Sequence, residues 1–374
     1  MNIAVIYGGD SCERDVSVIT AVQTMKLLNK FAYRVYPVLL GEHGGMFMPA
    51  HADDIRTYIG EKADVGEAVF FKGKTLCKSG RFMRRLAEID CALLCTHGGA
   101  GENGALQGFL ELCGIPYTSP GVEASAICMN KLTSKSVFAA LGVNVLPAVK
   151  VRKGERERAF EYARGQGYPL MVKPARQGSS IGIDLAADEE QLRKALDVAF
   201  EFDGTALVER ALTDFTEINC ACVKYGQEVL VSSPERPVCW REFLTFEDKY
   251  LRGGKMSAPG REFPANLPAP QREYIQKSAL KVYSELEMKG VVRFDFLLDN
   301  ASGEVYLNEA NTIPGSLGNY LWTDKGIDGC RLADMMIEQA LAESAAQKPA
   351  YRSDILEVFG SGSANACKIG RGHI

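Results

Sequence analysis

In the stretch VRFDFLLDNASGEVYLNEAN, Val292 to Asn311, acids interrupt two apolar runs joined by a short polar connection. Each run alternates with period two, and Asp299-Asn300-Ala301-Ser302-Gly303 between them is turn chemistry, so the segment is predicted to be a β-hairpin. Arg293 and Asp295 then share one face of the first strand, and Leu307, Glu309 and Asn311 share one face of the second, opposite Tyr306 and Asn308. If the two faces coincide, Asp295, Glu309 and Asn311 turn five side-chain oxygens toward one spot. Two carboxylates about 4 Å apart repel by roughly 4 kcal/mol at an effective dielectric near 20, which is comparable to much of a domain's net stability. A positive partner is therefore expected between them. Oxygen-only ligands with no His or Cys nearby point to Mg²⁺ rather than zinc, and Mg²⁺ held by one or two carboxylates usually shares its sphere with nucleotide phosphates. The alternative is that Arg293 alone neutralises Asp295 and the hairpin is structural.

A phosphate-handling metal calls for a phosphate cradle. There is no GxxxxGK[ST] motif and no GxGxxG after the first strand, where GGDSCERDVS has only Gly8 and Gly9. The informative loop is VKPARQGSSIGID, Val172 to Asp184, between two predicted strands. Its Gly178, Ser179, Ser180 and Gly182 allow backbone N–H groups to fold over phosphates, with Lys173 as a cation at the root. An ordinary hairpin turn with a surface lysine is the competing reading. Glu209 ends the strand TALVER, and Glu217 follows in an acidic stretch; carboxylates so placed are usually solvated, but in a nucleotide enzyme the backbone at a strand end reads adenine and a carboxylate accepts ribose hydroxyls. The basic, glycine-containing stretch Leu244 to Ala265 is long for a connection and would suit a lid, with Lys249, Tyr250, Arg252 and Lys255 over a charged substrate. Glu13 and Ser17 lie where a first strand turns into a helix, a usual place for an anionic ligand, and His97 borders a glycine-rich turn into another helix.

Three units are expected to position these groups. Residues 1–118 alternate strand-like and helix-like segments, the pattern of parallel α/β layering. Residues 119–202 hold the helix TSKSVFAAL stopped by Gly142, the strand YPLMVKPA with its return SSIGIDLA, and a helix opened by Asp188 as N-cap with Gln191 three residues on. Leu192, Ala195, Leu196 and Ala199 form that helix's core-facing stripe. Residues 203–350 contain more strands, the long insertion, a helix from about Ala269 to Leu286 and the hairpin, and 351–374 read as a flexible tail. A length of 374 residues with 46% hydrophobic and 24% charged residues is that of a soluble globular protein with a large core. The net charge of −4 offers no global attraction to nucleic acid or an anionic membrane, and no apolar run approaches the length of a membrane span. Eleven cysteines, an odd count without a CxxC pair and mostly in apolar runs, read as reduced thiols of a cytoplasmic protein. The start, without a basic segment and apolar run, argues against a secretory signal.

The order GGDSCERDVS, HGGAGENGALQG, MNKLTSK, VKPARQGSSIG, the Lys249-Tyr250 pair, RFDFLL and NEANTIPG resembles the D-alanine:D-alanine ligases of the ATP-grasp superfamily, over Met1 to about Ala342. The resemblance implies an α/β composite: an ATP-grasp fold with an N-terminal parallel α/β domain, a central ATP-grasp subdomain and a C-terminal ATP-grasp domain. It implies ATP as co-substrate, two Mg²⁺ ions with Mn²⁺ able to replace them, D-alanine and a second amino acid as substrates, and a homodimer. Lys131, Lys173 and Ser180 match nucleotide-phosphate contacts; Glu209, Leu212 and Glu217 match adenine and ribose contacts. Asp295, Glu309 and Asn311 match the metal ligands. Arg293 and the Gly315 N–H match the groups that stabilise charge on the transferring oxygens. Glu13 matches the carboxylate that fixes the first amino acid's ammonium, with Ser179 and Tyr250 as its hydrogen-bonded partners, and His97, Lys249, Tyr320 and Leu321 fall in the amino-acid pockets.

The implied reaction is ATP-dependent formation of D-alanyl-D-alanine through a D-alanyl phosphate, for peptidoglycan precursor synthesis. Several positions depart from the family pattern. Tyr320 stands where Ser is usual, in a run that receives the second substrate's carboxylate; Asp10 replaces Ser or Thr, Asn103 replaces Asp, and FLTFEDKY replaces FYDYEAKY. Tyr320 keeps alive a ligase that joins D-alanine to another acceptor such as D-serine. A non-catalytic ligand sensor is a third reading, against which stands the presence of Lys131, Lys173, Asp295, Glu309 and Asn311 together.

Overall fold

The computed structural model describes residues 1–60, 65–237 and 260–346. By their contacts Met1–Leu341 form one compact unit. The expected tail, 351–374, lies outside the described residues. No helix among them is long and apolar enough to cross a membrane.

The first sheet has seven strands. Asn2–Gly8 runs parallel to Arg34–Leu40 on one side and to Cys91–Leu94 on the other. Ile3 to Tyr7 are buried without exception, as a strand covered on both faces must be, so its sequence is a continuous apolar run. The parallel layering expected for 1–118 is confined to these three strands. Met46–Met48, Glu67–Lys72, Thr75–Lys78 and Arg84–Glu88 extend the sheet antiparallel. The connections explain this: Lys72 pairs with Thr75 across a two-residue turn, and only antiparallel neighbours can be joined so briefly. Ser17, on the helix Arg14–Leu27, is buried; its hydroxyl accepts from Gly8 N–H at 2.7 Å and donates to Cys95 O at 2.7 Å. It locks the ends of two parallel strands instead of facing a ligand.

The second sheet places Leu170–Pro174 between Asp184–Ala186 and Thr205–Arg210, with Ala148–Arg152 beyond, all antiparallel. The helix Glu189–Phe202 covers it with Leu192, Ala195, Leu196 and Ala199 fully buried, and is opened by Asp188, whose carboxylate accepts from Gln191 N–H at 2.8 Å. A boundary at 202/203 would cut Thr205–Arg210 away from its sheet; the chain changes sheets between Arg210 and Phe215. A helix at about 189–202 followed by a short turn resembles a unit's end in sequence, but backbone pairing to Lys173 and Val172 keeps the next strand with this unit.

The third sheet is ordered Glu228–Val231, Phe215–Tyr225, Val291–Asp299, Val305–Asn311. Phe294, Phe296 and Leu307 point into a core closed by the helix Ala269–Glu285. Burying each is worth roughly 1.5–3 kcal/mol, so together they set the register that keeps Arg293 and Asp295 on the other face. The predicted hairpin forms, with one difference. Phe296 pairs with Leu307 while Asp295 pairs with Glu309, a bulge that leaves Asn308 as the extra residue. Strict alternation would have put Leu307 beside Glu309 and Asn311; the bulge instead sends Leu307 to the core and turns Asn308, Glu309 and Asn311 away from it.

Candidate active site

Two cavities flank the hairpin, of about 320 and 330 Å³. Glu217, Asn219, Asp295 and Glu309 line both and form a common wall. The first cavity is bounded by Lys131, Lys173, Ser180, Glu209 and Leu212, and the second by Glu13, Ser179, Arg293, Asn311, Gly315 and Tyr320. Residues of the second and third sheets and of the helix after the first strand therefore converge here.

On the first side the lysines are held by geometry that single motifs do not reveal. Lys131 opens the helix Lys131–Ala140, whose N-cap Asn130 accepts from Leu132 N–H at 3.1 Å and Thr133 N–H at 3.3 Å. Its ammonium donates to Gln177 O at 2.7 Å and lies 3.2 Å from Glu309 Oε2, linking the glycine-serine loop to the hairpin. Lys173 lies 2.6 Å from Glu209 Oε1 and donates to Asn308 Oδ1 at 3.1 Å. Lys135 closes on Glu209 Oε2 at 2.8 Å. Glu209, expected at a solvated strand end, is thus a buried carboxylate between two ammonium groups. Burial opposes its charge, and Lys173 and Lys135 together outweigh that, holding the carboxyl below its usual range. Burial pushes the Lys135 ammonium down, partly countered by Glu209. Any nucleotide contact at Glu209 falls to its backbone, since its carboxylate is committed.

On the second side the loop between Leu170–Pro174 and Asp184–Ala186 reaches the N-terminal unit. Ser179 donates from its hydroxyl to Glu13 Oε1. Ser179 and Ser180 have φ of 50° and 59°, left-handed conformations that cost non-glycine residues of order 1 kcal/mol and recur at functional sites. A side chain at Gly178 would overlap the Glu13 carboxylate, so the close approach requires glycine. Glu13 stands at the N-cap position of its helix without capping it, its carboxylate turned to the loop instead.

Arg293 binds Asp295 through two parallel hydrogen bonds, Nε to Oδ1 at 2.7 Å and Nη2 to Oδ2 at 2.8 Å, and Asn311 Nδ2 donates to Asp295 Oδ2 at 2.9 Å. The acids of the hairpin are thus neutralised by Arg293 and Lys131, and the two readings of the hairpin meet in one arrangement. The donor set of Asp295, Glu309 and Asn311 is all oxygen, suited to Mg²⁺ and not to zinc. Among the described residues no group of three His, Cys, Asp or Glu side chains could hold a metal, so this pair of carboxylates needs further oxygens from a ligand.

His97 does not line either cavity. It is buried, its Nε2 is 3.0 Å from Thr20 Oγ1, and Thr20 Oγ1 accepts from Ser316 N–H at 3.1 Å. Burial, with Arg293 nearby, pushes the imidazole down to about 4, so it is neutral at pH 7. Leu321 is likewise buried in the core beside Trp322, whereas Tyr320 reaches the cavity. Lys249 and Tyr250 lie outside the described residues. Residues not anticipated from sequence include Glu102, which accepts from Thr312 Oγ1 at 3.0 Å, Ile313 N–H at 3.1 Å and Gly98 N–H at 2.9 Å, and so ties the His97 turn to the segment before Gly315. Burial, and then Glu13, push its carboxyl up to about 7. Lys135 was not anticipated either, though a signal existed: it lies four residues after Lys131, on the same helical face. Glu235 carried no local signal, and Arg261, although inside the basic stretch Leu244 to Ala265, was not singled out. Arg261 Nε is 3.3 Å from Glu235 Oε1, and its guanidinium lies 3.7 Å from the centre of the Tyr320 ring.

Known proteins resemble this chain in sequence and in fold. Family models described as D-ala D-ala ligase N-terminus and D-ala D-ala ligase C-terminus match residues 2–120 and 137–338. The D-alanine–D-alanine ligase of Wolinella succinogenes is 35% identical over 87% of this chain and 90% of its own length. Among solved structures, the VanG D-Ala:D-Ser ligase from Enterococcus faecalis is 26% identical with a TM-score of 0.77, over 91% of this chain and 99% of that one. The D-alanine–D-alanine ligase from Bacillus anthracis complexed with ATP is 27% identical with a TM-score of 0.68, over 93% of this chain and 100% of that one. The chain belongs to the D-ala D-ala ligase family and has its ATP-grasp fold.

Proposed function

We infer that this chain is an ATP-dependent ligase that joins two D-alanine molecules into D-alanyl-D-alanine, with ADP and phosphate as the other products, on the route to peptidoglycan precursor. The observation that carries this reading is the common wall of Glu217, Asn219, Asp295 and Glu309, across which a nucleotide's terminal phosphate and an amino acid's carboxylate would meet. A carboxylate is a poor acyl donor because its oxygen leaves badly. Transfer of a phosphoryl group to it makes phosphate the leaving group, and the second amino acid's amine then attacks the acyl carbon.

The chain's own residues supply the positioning and the electrostatics. Glu13, oriented by Ser179, accepts the first amino acid's ammonium, and the family resemblance assigns Tyr250 and Lys249 to the amino-acid pockets. Lys131, Lys173 and Ser180 hold phosphate oxygens, while Leu212, Glu217 and the Glu209 backbone face the nucleoside. Arg293 and the Gly315 N–H stabilise negative charge on the oxygens in transit. His97 acts through Thr20, fixing the backbone at Ser316, and Leu321 packs behind Tyr320. Asp295, Glu309 and Asn311 would hold two Mg²⁺ or Mn²⁺ ions, which when bound supply the positive charge that lets two anions approach. The reading includes a homodimer in the cytoplasm, and three units that change over near residue 118 and between Arg210 and Phe215.

Tyr320, and the likeness to a D-Ala:D-Ser ligase, favour a second reading in which the acceptor is another amino acid such as D-serine. A panel of D- and L-amino acids, singly and in pairs, with ATP and Mg²⁺, scored by phosphate release and product mass, separates the two. Release with D-alanine alone supports the first reading; release with every pair except D-alanine with itself overturns it.

A further inference from the structure

The second cavity contains a cation that neither the metal acids nor the first amino acid uses. Of the positive side chains lining it among the described residues, Arg293 is bound to Asp295, and the other is Arg261. Arg261 is 46% exposed and projects from the strand Arg261–Glu262, which pairs with Arg236–Pro237. Its guanidinium plane is held from two directions. Nε lies 3.3 Å from Glu235 Oε1, a carboxylate that is itself buried and receives Asn219 Nδ2 on its other oxygen at 3.2 Å. The Tyr320 ring lies beneath it at 3.7 Å. A guanidinium fixed through its inner nitrogen and stacked on an aromatic face turns its outer nitrogens outward, in the geometry that takes a planar carboxylate through two parallel hydrogen bonds. Glu13 and Ser179, at which the proposed first substrate binds, line the same cavity, as do Gly315 and Arg293.

We propose that Arg261, set by Glu235 and Tyr320, is the specificity-determining residue that receives the α-carboxylate of the second, amine-donating amino acid. This rests on the ligase reading above. It gives Tyr320 a task that a small hydroxyl residue could not perform: the ring supports the guanidinium. It also selects acceptors, because an amine without a carboxylate would leave the outer nitrogens of the guanidinium without an acceptor. The alternative is that Arg261 only neutralises the buried Glu235.

Competition between acceptors separates the two. The full chain is given ATP, Mg²⁺, D-alanine and D-alaninamide, and the ratio of D-alanyl-D-alanine to D-alanyl-D-alaninamide is measured by mass. An amide has no carboxylate to phosphorylate, so D-alanine is the donor in both products and the ratio reads the acceptor site alone. Arg261→Gln is expected to lower the ratio at least about tenfold, and Arg261→Lys, which keeps the charge opposite Glu235 but not the planar fork, at least about threefold. A purely neutralising Arg261 predicts reduced stability in Arg261→Gln alone and an unchanged ratio in both variants, which overturns the proposal. Should Arg261→Gln fail to fold, the Arg261→Lys ratio decides alone. If the unmodified chain forms neither product, the ligase reading has failed, and that is visible before any variant is made.

Discussion

Replacing Glu209 by Gln keeps the side chain's shape and removes a charge that two ammonium groups share. The carboxylate is 1% exposed, and Lys135 and Lys173 are 6% and 9% exposed at 2.8 and 2.6 Å from it. Removing one member of a buried pair costs about 3–5 kcal/mol, because the remaining charge stays desolvated without its partner. Lys173 keeps Asn308 Oδ1 at 3.1 Å, so the larger share falls on Lys135, whose ammonium burial already disfavours. At about 2 °C per kcal/mol for a chain of this size, the thermal midpoint at pH 7 should fall by about 6–10 °C. The deficit has a signature in pH. In the variant Lys135 releases its proton more readily when folded than when unfolded, the unfolded chain binds more protons, and stability rises with pH across that interval. Melts at pH 7 and pH 9.5 should therefore differ, with the variant closer to the parent at the higher pH. Adding Lys135→Met to Glu209→Gln removes the stranded charge and should recover part of the loss. A deficit below about 1 kcal/mol, or one that neither high pH nor Lys135→Met reduces, would refute the account of Glu209 as a shared counter-charge.

Asp295→Asn should lower phosphate release at least about 100-fold with the circular dichroism spectrum unchanged, and normal turnover would remove the metal assignment. His97, pushed down to about 4 from 6.5, contributes stability that is present above about pH 6.5 and lost as pH falls toward 4, about 3 kcal/mol in all; denaturant unfolding of His97→Gln should be flatter across that range. Glu102, pushed up to about 7 from 4.5, acts in the opposite sense, its contribution present below about pH 4.5 and lost as pH rises through 7, so Glu102→Gln should remove that decline in the same measurement. Gly178→Ala displaces the Glu13 carboxylate from Ser179 and should raise the KM for the first amino acid about tenfold, roughly 1.4 kcal/mol, while the thermal midpoint changes little.

The hairpin was legible because its signals are local: alternation, turn residues and acids at fixed spacing all lie within Val291–Asn311. What alternation could not convey is the bulge, since one extra residue changes the face of everything after it, and only the burial of Phe294, Phe296 and Leu307 against a distant helix decides where it falls. The capping box at Asp188 and the stripe beneath it were readable for the same local reason. Glu209 was not, because the lysines that bury it come from a helix and a strand tens of residues away, and a carboxylate at a strand end is solvated unless tertiary neighbours intervene. Arg261 and Glu235 are the extreme case: the basic stretch that holds Arg261 was readable as a whole, but its partnership with Glu235 runs across a β-ribbon that neither segment announces.

The same distances explain why the acids sit where they do. Among the described residues lining the two cavities, seven are carboxylates, Glu13, Asp184, Glu209, Glu217, Glu235, Asp295 and Glu309, against five cations, Lys131, Lys173, Arg210, Arg261 and Arg293. Each of the deeper acids already has a basic partner within ion-pair distance, Glu209 between two lysines, Asp295 on Arg293, Glu309 on Lys131 and Glu235 on Arg261. These pairs close on one another, so none of these four acids is left without a counter-charge. The same pairing means that, on the proposed reading, a polyanionic nucleotide arriving at Lys131 and Lys173 would have to compete with Glu309 and Glu209 for them. Divalent cations on Asp295 and Glu309 would release Arg293 and Lys131 from those acids and make both available to phosphate and acyl oxygens. Binding of nucleotide and metal would then be coupled through the hairpin itself, and the excess of acid, a liability in an empty cleft, becomes the means by which the cleft accepts both together.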